Sequence, residues 1–257
     1  MLGLRPALLT LALSLASFVA PLGSSRAADG SALDARLSAR GIRDARVLEA
    51  FARVPRDAFV PEDALERRFD DKPLPPTFTQ VISQPYLLAR MIELVQPKAD
   101  TRVLEVGTGT GYAAALLAEL AAEVFSVGVI PESAATARLR LAREGYQNVH
   151  VKVGDGSLGW REYGPYDAVI VTSIGPRVPP ALIEQLVEGG VLVMPVGPPR
   201  GRQVLLRGVK KGFKLRAKEV AELQPGGGSA APRPPARGPG RGQGATSGAE
   251  PERAPKR

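Results

Sequence analysis

The residues best suited to bind a ligand lie around one glycine-rich turn. Residues 103–112 read Val-Leu-Glu-Val-Gly-Thr-Gly-Thr-Gly-Tyr, so an apolar strand candidate runs into Gly107, Gly109 and Gly111. Glycine lets the chain turn tightly and lets a ligand approach the backbone, and in open α/β sheets such turns lie beyond the carboxyl ends of strands. The turn therefore predicts a small-molecule site, with Glu105 two residues before it. A glycine-rich strand–helix turn of another doubly wound protein remains the alternative.

The spacing of these glycines indicates which class of ligand the turn could bind. A dinucleotide fingerprint would place its third glycine at position 112, which is Tyr112 here. An acidic residue followed by Gly-x-Gly-x-Gly resembles instead the first motif of S-adenosylmethionine-dependent methyltransferases, whose ligand has no pyrophosphate. The resemblance implies S-adenosylmethionine as the cofactor and gives these candidate binding residues: Glu105, Gly107, Thr108, Gly109 and Gly111.

Two further segments end strand candidates and add to the predicted site. Gly154-Asp155-Gly156 follows the third strand, where this fold commonly has a carboxylate near the adenine amino group. Asp155 and Gly156 are therefore candidate cofactor-binding residues, although Asp-Gly is also an ordinary turn sequence. The fourth strand candidate ends at Thr172, which would border the reaction site and is a candidate for substrate binding.

The composition excludes several kinds of chemistry. The chain has no cysteine and one histidine, His150. A disulfide scaffold, a thiol nucleophile and a thiolate zinc site are therefore excluded, and a Ser–His–Asp mechanism is a poor fit. His150 alternates with valines on a strand candidate, which favours an exposed strand position over a catalytic one. We expect chemistry without a metal.

The net charge of +8 is concentrated at the two ends of the chain. Residues 1–27 carry +2 and residues 224–257 carry +4, which leaves only +2 on residues 28–223. A polyanion-binding groove on the globular part is therefore not supported, and no nucleic-acid partner is expected.

The middle of the chain alternates between strand and helix candidates, which predicts an α/β fold with a parallel sheet covered on both faces. Helical signals occupy residues 31–68, and residues 69–85 form a proline-rich loop candidate. The strand candidates are Arg102–Val106, Val124–Val129, Val149–Val153, Ala168–Thr172, Val191–Val196 and Gln203–Val209. The helix candidates between them are Ala113–Ala121, Glu132–Glu144 and Pro180–Leu186.

The two ends of the chain differ from the middle. Residues 1–27 read as a secretory signal, with a positive start, an apolar run and small residues before Ala28, so we expect a periplasmic or secreted protein that is not stably inserted in a membrane. An uncleaved anchor, or a cytoplasmic protein with a misassigned start, is the alternative. Residues 224–257 hold eight glycines and seven prolines and no aliphatic side chain larger than alanine, which predicts a disordered basic tail.

Residues 45–215 resemble protein-L-isoaspartate O-methyltransferases in order along the chain. The segments that carry the resemblance include FVPEDA, PLPPTFTQVISQPYLLARM, VLEVGTGTGYAAALLAEL and GYQNVHVKVGDGSLGW. The resemblance implies a three-layer, doubly wound, mostly parallel seven-stranded sheet, the Rossmann-like methyltransferase fold, with an N-terminal helical and loop extension. Residues 31–98 would be that extension with the substrate loop, and residues 99–223 the cofactor-binding core.

The resemblance also implies an activity. Enzymes of this family transfer a methyl group from S-adenosylmethionine to the free α-carboxylate of isoaspartyl residues in damaged proteins, so such proteins are the expected partners of a monomeric enzyme. Ser83 matches the family position whose hydroxyl binds the substrate carboxylate, with Gln80 and Ile82 beside it. A helix N-cap is the other interpretation of Ser83.

Three departures from the family pattern put this activity in question. Gly128 stands at the end of the second strand candidate, where the family has an acidic residue that accepts both ribose hydroxyls. The loop Thr77–Ser83 lacks two usual glycines, and Lys218–Leu223 replaces an apolar segment near the family's C-terminus. A relative that binds the cofactor weakly or has lost activity is therefore an alternative. A nucleic-acid methyltransferase is a weaker one, because Thr172–Pro176 holds no aromatic residue to stack a base.

Overall fold

A computed structural model describes residues 33–67, 70, 84–198, 201–223 and 229–230. The predicted signal segment, most of the loop candidate 69–85 and most of the predicted tail lie outside these residues. Within the described part, no helix is long and apolar enough to cross a membrane.

A seven-stranded sheet and a separate two-stranded pair make up the strands of the described residues. The strands are β1 (Arg102–Val106), β2 (Glu123–Gly128), β3 (Val149–Val153), β4 (Tyr166–Val171), β5 (Ser173–Ile174), β6 (Leu186–Val196), β7 (Gln203–Lys211), β8 (Lys214–Leu223) and β9 (Ser229–Ala230). The large sheet has the order β3-β2-β1-β4-β6-β7-β8, in which the first five strands run parallel and β7 and β8 are antiparallel neighbours. The short pair joins β5 to β9.

Helices cover both faces of this sheet and give the predicted three layers. Strands β1 and β4 are buried on both faces, which explains their nearly continuous apolar sequences. The helices are α1 (residues 33–39), α2 (Ala45–Arg53), α3 (Arg56–Phe59), α4 (Pro85–Val95), α5 (Tyr112–Ala118), α6 (Pro131–Arg143) and α7 (Pro180–Glu184). The predicted fold class is therefore confirmed.

The N-terminal helices belong to the same core as the sheet. Phe51 on α2 and Phe59 on α3 are buried against Tyr112, with ring centroids 6.1 and 5.9 Å apart. Tyr112 opens α5 directly after the glycine turn, and the Arg56 guanidinium lies 4.6 Å over its ring. The extension thus packs on the helix that follows the predicted cofactor turn, and it helps to hold that turn in place.

Two elements differ from the sequence-based expectation. Strand β8 was not predicted, because it is an exposed edge strand rich in charged side chains and lacks an apolar alternation. Residues Ser229–Ala230 lie in the segment predicted as a disordered tail, yet they pair in parallel with Ser173–Ile174. The prediction is corrected for these two residues, whose backbone groups find partners at the end of β4.

Candidate functional site

The carboxyl ends of the four strands β1 to β4 meet at one edge of the sheet. Hydrogen bonds continue past the strands there: the Gly107 amide donates to the Val127 carbonyl at 2.9 Å, and the Thr172 amide donates to the Val106 carbonyl at 2.9 Å. The Gly154 amide likewise donates to the Gly128 carbonyl at 3.0 Å. The turns after these strands are therefore held side by side, and the edge that they share is called the crevice.

The glycine turn after β1 requires its glycines. Gly107, Gly109 and Gly111 have φ values of +113°, +49° and +92°, a region that other residues rarely adopt. A Cβ atom on Gly107 would lie 2.3 Å from the Thr172 hydroxyl oxygen, so the turn also passes too close to β4 for any side chain. The positive φ values and the short distance to Thr172 agree with the prediction of a tight turn that requires glycine.

The loop after β3 approaches the same edge. A Cβ atom on Gly156 would lie 2.3 Å from Cγ1 of Val106, so this loop packs directly on the end of β1. Asp155 is exposed, and one of its carboxylate oxygens accepts a hydrogen bond from the Ser157 amide at 2.9 Å. Asp155 is thus a turn residue by geometry, and its second oxygen has no partner among the described residues.

Glu105 is a buried acidic residue of the site. Its side chain is 0% exposed, and the Ser126 hydroxyl donates to its Oε2 atom. Thr108 Oγ1 lies 2.5 Å from Ser126 Oγ. A serine hydroxyl has one hydrogen, so when Glu105 is ionised Ser126 donates to Glu105 and Thr108 donates to Ser126. The three side chains form a chain of hydrogen bonds that runs from Thr108 through Ser126 to Glu105.

Burial raises the pKa of Glu105 to about 7, and the Ser126 hydrogen bond opposes part of this rise. The Oε1 atom of Glu105 has no hydrogen-bond partner within the described part of the chain. A buried carboxyl with one unsatisfied oxygen is costly in its ionised form. The site is therefore suited to a ligand that brings positive charge or a hydrogen-bond donor near this group.

The side chain of Thr172 lies at the predicted edge but is already engaged. Its hydroxyl is within 3.2 Å of the Val106 carbonyl oxygen and 3.1 Å of that of Gly107, and it donates its proton to these groups. It can offer a substrate only its lone pairs, which a carboxylate does not need. The geometry favours a bridge between β1 and β4 as the role of Thr172.

Gly128 ends β2 beside the glycine turn. A Cβ atom there would lie 3.0 Å from both Cβ and Oγ1 of Thr108, in a backbone conformation open to other residues. Thr108 therefore lies against the place that the first atoms of a side chain at position 128 would occupy.

Three predicted site residues, Gln80, Ile82 and Ser83, lie outside the described residues. One residue of the site, Ser126, was missed by the sequence analysis. It is directly opposite Glu105 in the β1–β2 register. A serine in the middle of an apolar strand was the available signal, but only the register shows that it meets a carboxylate. Among the described residues, no cluster of acidic, histidine or cysteine side chains could hold a metal ion.

Comparisons with known proteins agree with this geometry. A sequence profile of the protein-L-isoaspartate(D-aspartate) O-methyltransferase family matches residues 29–224, more than half of the chain. The chain belongs to this family.

Individual relatives cover most of the chain. The protein-L-isoaspartate O-methyltransferase of Myxococcus xanthus is 52% identical over 188 residues, which are 73% of this chain and 87% of that one. A solved protein-L-isoaspartate O-methyltransferase superposes with a TM-score of 0.71 at 30% identity, covering 79% of this chain and 66% of the other. A Plasmodium falciparum structure of the same description gives a TM-score of 0.66 at 20% identity, covering 79% and 98%, and supports the fold.

The raised pKa of Glu105 predicts a specific pH dependence of stability. The folded-state pKa of about 7 lies above the ordinary value of 4.5, so the fold holds an extra proton between these values. Stability is therefore lost as the pH rises from about 4.5 to about 7, and the full cost, on the order of 3 kcal/mol, is present above that range.

Replacing Glu105 by glutamine should remove this cost while keeping an acceptor for Ser126. We expect E105Q to unfold at higher urea concentration than the unmodified protein at pH 8, with the difference shrinking towards pH 5. Urea unfolding at both pH values measures this. Equal stability of the two proteins at pH 8 would contradict a buried, poorly solvated carboxylate.

Proposed function

We propose that this chain transfers a methyl group from S-adenosylmethionine to the free α-carboxylate of L-isoaspartyl residues in damaged proteins. The methyl ester then closes to a succinimide, which reopens partly to normal aspartate. The observation that carries the proposal is the crevice at the ends of β1 to β4, where the glycine turn of residues 107–111 lies beside the Asp155 loop and the buried Glu105, in a chain of this family.

The residues of the crevice fit S-adenosylmethionine. Gly107 and Gly156 present backbone and no side chain at this edge, because a Cβ atom on either would lie 2.3 Å from a neighbouring side chain. Backbone without side chains lets a ligand approach closely. The unpartnered oxygen of Asp155 is an acceptor suited to an adenine amino group. The cofactor carries a sulfonium and an ammonium group, and positive charge near Glu105 would favour the ionised form of that carboxyl.

The reaction needs little from the protein beyond positioning. A carboxylate with an ordinary pKa near ~4 is already ionised at neutral pH, so no general base, metal ion or covalent intermediate is required. The bound cofactor supplies an electrophilic methyl group, and the protein must hold the attacking oxygen in line with it. Ser83 is proposed to donate its hydroxyl to the substrate carboxylate, with Gln80 and Ile82 beside it, on the basis of the family resemblance.

A methyl-transfer assay tests the activity. With labelled S-adenosylmethionine we expect transfer to an isoaspartyl peptide and none to its normal aspartyl twin. We expect S83A to lower kcat/KM about 10- to 100-fold, since a hydrogen bond to a charged group contributes about 1.5–3 kcal/mol.

The control for S83A is its affinity for S-adenosylhomocysteine, which should not change because Ser83 is assigned to the substrate. Transfer to neither peptide by the unmodified protein would favour a relative that has lost activity. Equal transfer to both peptides would exclude isoaspartyl specificity.

The ribose hydroxyls of the cofactor need an acceptor that β2 does not provide. In related nucleotide-binding folds an acidic residue about 20 positions after the glycine turn takes this role, and Gly128 occupies that place. We propose that Thr108 Oγ1 substitutes. Thr108 donates its hydrogen to Ser126, and Ser126 donates its own to Glu105, so the lone pairs of Thr108 remain available as acceptors. The chain of hydrogen bonds strengthens Thr108 as an acceptor.

Restoring an acid at position 128 should tighten cofactor binding. A side chain there crowds Thr108, so the comparison is between G128E and G128Q, which have equal bulk and differ in charge. We expect G128E to bind S-adenosylhomocysteine about tenfold more tightly than G128Q, the size of a charge-assisted hydrogen bond. Calorimetric titration measures both. Equal affinities would mean that the end of β2 does not face the ribose.

We also propose that residues 1–27 direct export and are removed. The support is the sequence alone: a positive start, an apolar run and small residues before Ala28. N-terminal sequencing of the protein from its native cells should begin at Ala28, with the protein in the periplasmic or secreted fraction. An intact N-terminus in the cytoplasmic fraction would overturn this proposal and leave the activity unaffected.

A further inference from the structure

Charge is distributed unevenly over residues 28–223, although their net charge is close to zero. Residues 202–223, which include β7 and β8, carry seven basic and two acidic side chains, a net charge of +5. Since residues 28–223 carry +2 in total, residues 28–201 carry −3. Positive charge is thus collected on one hairpin at the edge of the sheet.

Five of the seven basic side chains of this hairpin share one face. Strands β7 and β8 pair Arg207 with Lys218, Val209 with Arg216, and Lys211 with Lys214. Directly opposed residues of an antiparallel pair point to the same side, so these five basic side chains lie together. Like charges placed opposite each other are unfavourable. Within the described part of the chain, Lys211, Lys214, Arg216 and Lys218 form no ion pair.

The acidic side chains of the hairpin do not offset this face. Glu219 and Glu222 are both paired with Arg202, at 2.7 and 3.5 Å. Glu188 is the acidic side chain that touches the turn, where it accepts a hydrogen bond from the Gly212 amide at 2.9 Å. Near the turn, Lys211, Lys214 and Arg216 are therefore exposed positive charges without an ion pair in the described part of the chain. Further along the strands, Arg207 and Lys218 lie around one pocket with Asp44 and Glu93.

An aromatic side chain stands at the tip of the same hairpin. Gly212 has a φ of +58°, and Phe213 follows it in the turn between Lys211 and Lys214. Phe213 is 101% exposed, so its ring is not covered by any of the described residues. The turn is fixed rather than loose, because Lys210 donates to the carbonyls of Glu184 and Leu186 at 2.9 and 2.6 Å, in addition to the Glu188 contact.

We propose that this hairpin docks, tip first, on an anionic phospholipid surface, with the Phe213 ring at the acyl boundary and Lys211 and Lys214 among the headgroups. A single apolar ring flanked by lysines on a convex turn suits the interface of a bilayer. The charge is complementary, since each basic side chain near an anionic surface adds attraction that fades within a Debye length.

The orientation of the sheet makes this docking compatible with catalysis. Strand β7 runs antiparallel to β6, and Val209 near its end is paired with Val191, towards the start of the parallel strands. The turn at Phe213 therefore lies at the edge opposite to the crevice after β1 to β4. A protein docked by this tip keeps the proposed methyl-transfer site directed away from the lipid, open to protein substrates.

The test measures co-sedimentation of the full chain with vesicles of phosphatidylglycerol and phosphatidylcholine in equal parts. We expect K211Q/K214Q to lower the partition coefficient about tenfold at physiological salt, and to leave partition to pure phosphatidylcholine unchanged. R233Q/R237Q removes the same charge from residues 224–257 and should have a smaller effect. A change of less than twofold in K211Q/K214Q would overturn the proposal.

Two single variants separate a lipid surface from a nucleic acid lying along the face. Lys218 is four residues from Lys214, about 13 Å along the strand, which exceeds the Debye length of about 8 Å. We expect K214Q to weaken vesicle binding several-fold and K218Q to weaken it less than half as much. Equal losses, with tighter binding to a single-stranded oligonucleotide than to vesicles, would overturn tip-first lipid docking.

The aromatic tip has its own matched control. Leu139 on α6 is 70% exposed and distant in sequence from the hairpin, so L139S removes an exposed apolar side chain without touching the tip. We expect F213S to lower the partition coefficient several-fold and L139S to leave it unchanged. Equal effects of the two variants would overturn the assignment of the tip. Methyl transfer to a soluble peptide should be the same in all of these variants.

Discussion

The absence of a side chain at Gly107 is the constraint on which the site depends. The backbone of the turn passes so close to β4 that the Thr172 hydroxyl occupies the place of a Cβ atom and bonds the carbonyls of Val106 and Gly107. This bridge holds the ends of β1 and β4 together. The same closeness recurs at Gly156 against Val106. The crevice is therefore an edge where three chain segments touch through backbone, and a ligand there meets amides and carbonyls before it meets side chains.

Features that are local in sequence could be predicted, and those that depend on register could not. The glycine turn, the Asp155 turn and the six central strands follow from residue types within about ten positions of each other, and the structure contains all of them. Ser126 was missed because its importance comes from standing opposite Glu105, which only strand pairing reveals. Strand β8 was missed because its stability comes from the β7 ladder and not from burial of its own side chains.

The distribution of charge over the fold could not be predicted from composition either. A total near zero for residues 28–223 argued against a charged surface, and as an average it was correct. It could not show that the basic residues gather on β7 and β8 while most acidic ones lie elsewhere. The buried Glu105 is a second example, because its proton equilibrium is set by the lack of solvent and not by the net charge of the chain. In both cases position, and not number, decides the property.

The order of the strands has a consequence for how such a protein can change over generations. Among the described residues, the groups at the crevice come from β1 to β4 and their turns, between residues 102 and 172. The hairpin of β7 and β8 is encoded separately and joins the sheet at its far side, beyond β6. Substitutions on the outer face of β8 can therefore accumulate without disturbing ligand contacts. One lineage could thus acquire a new attachment surface, or lose an old one, while the ancestral chemistry is inherited intact.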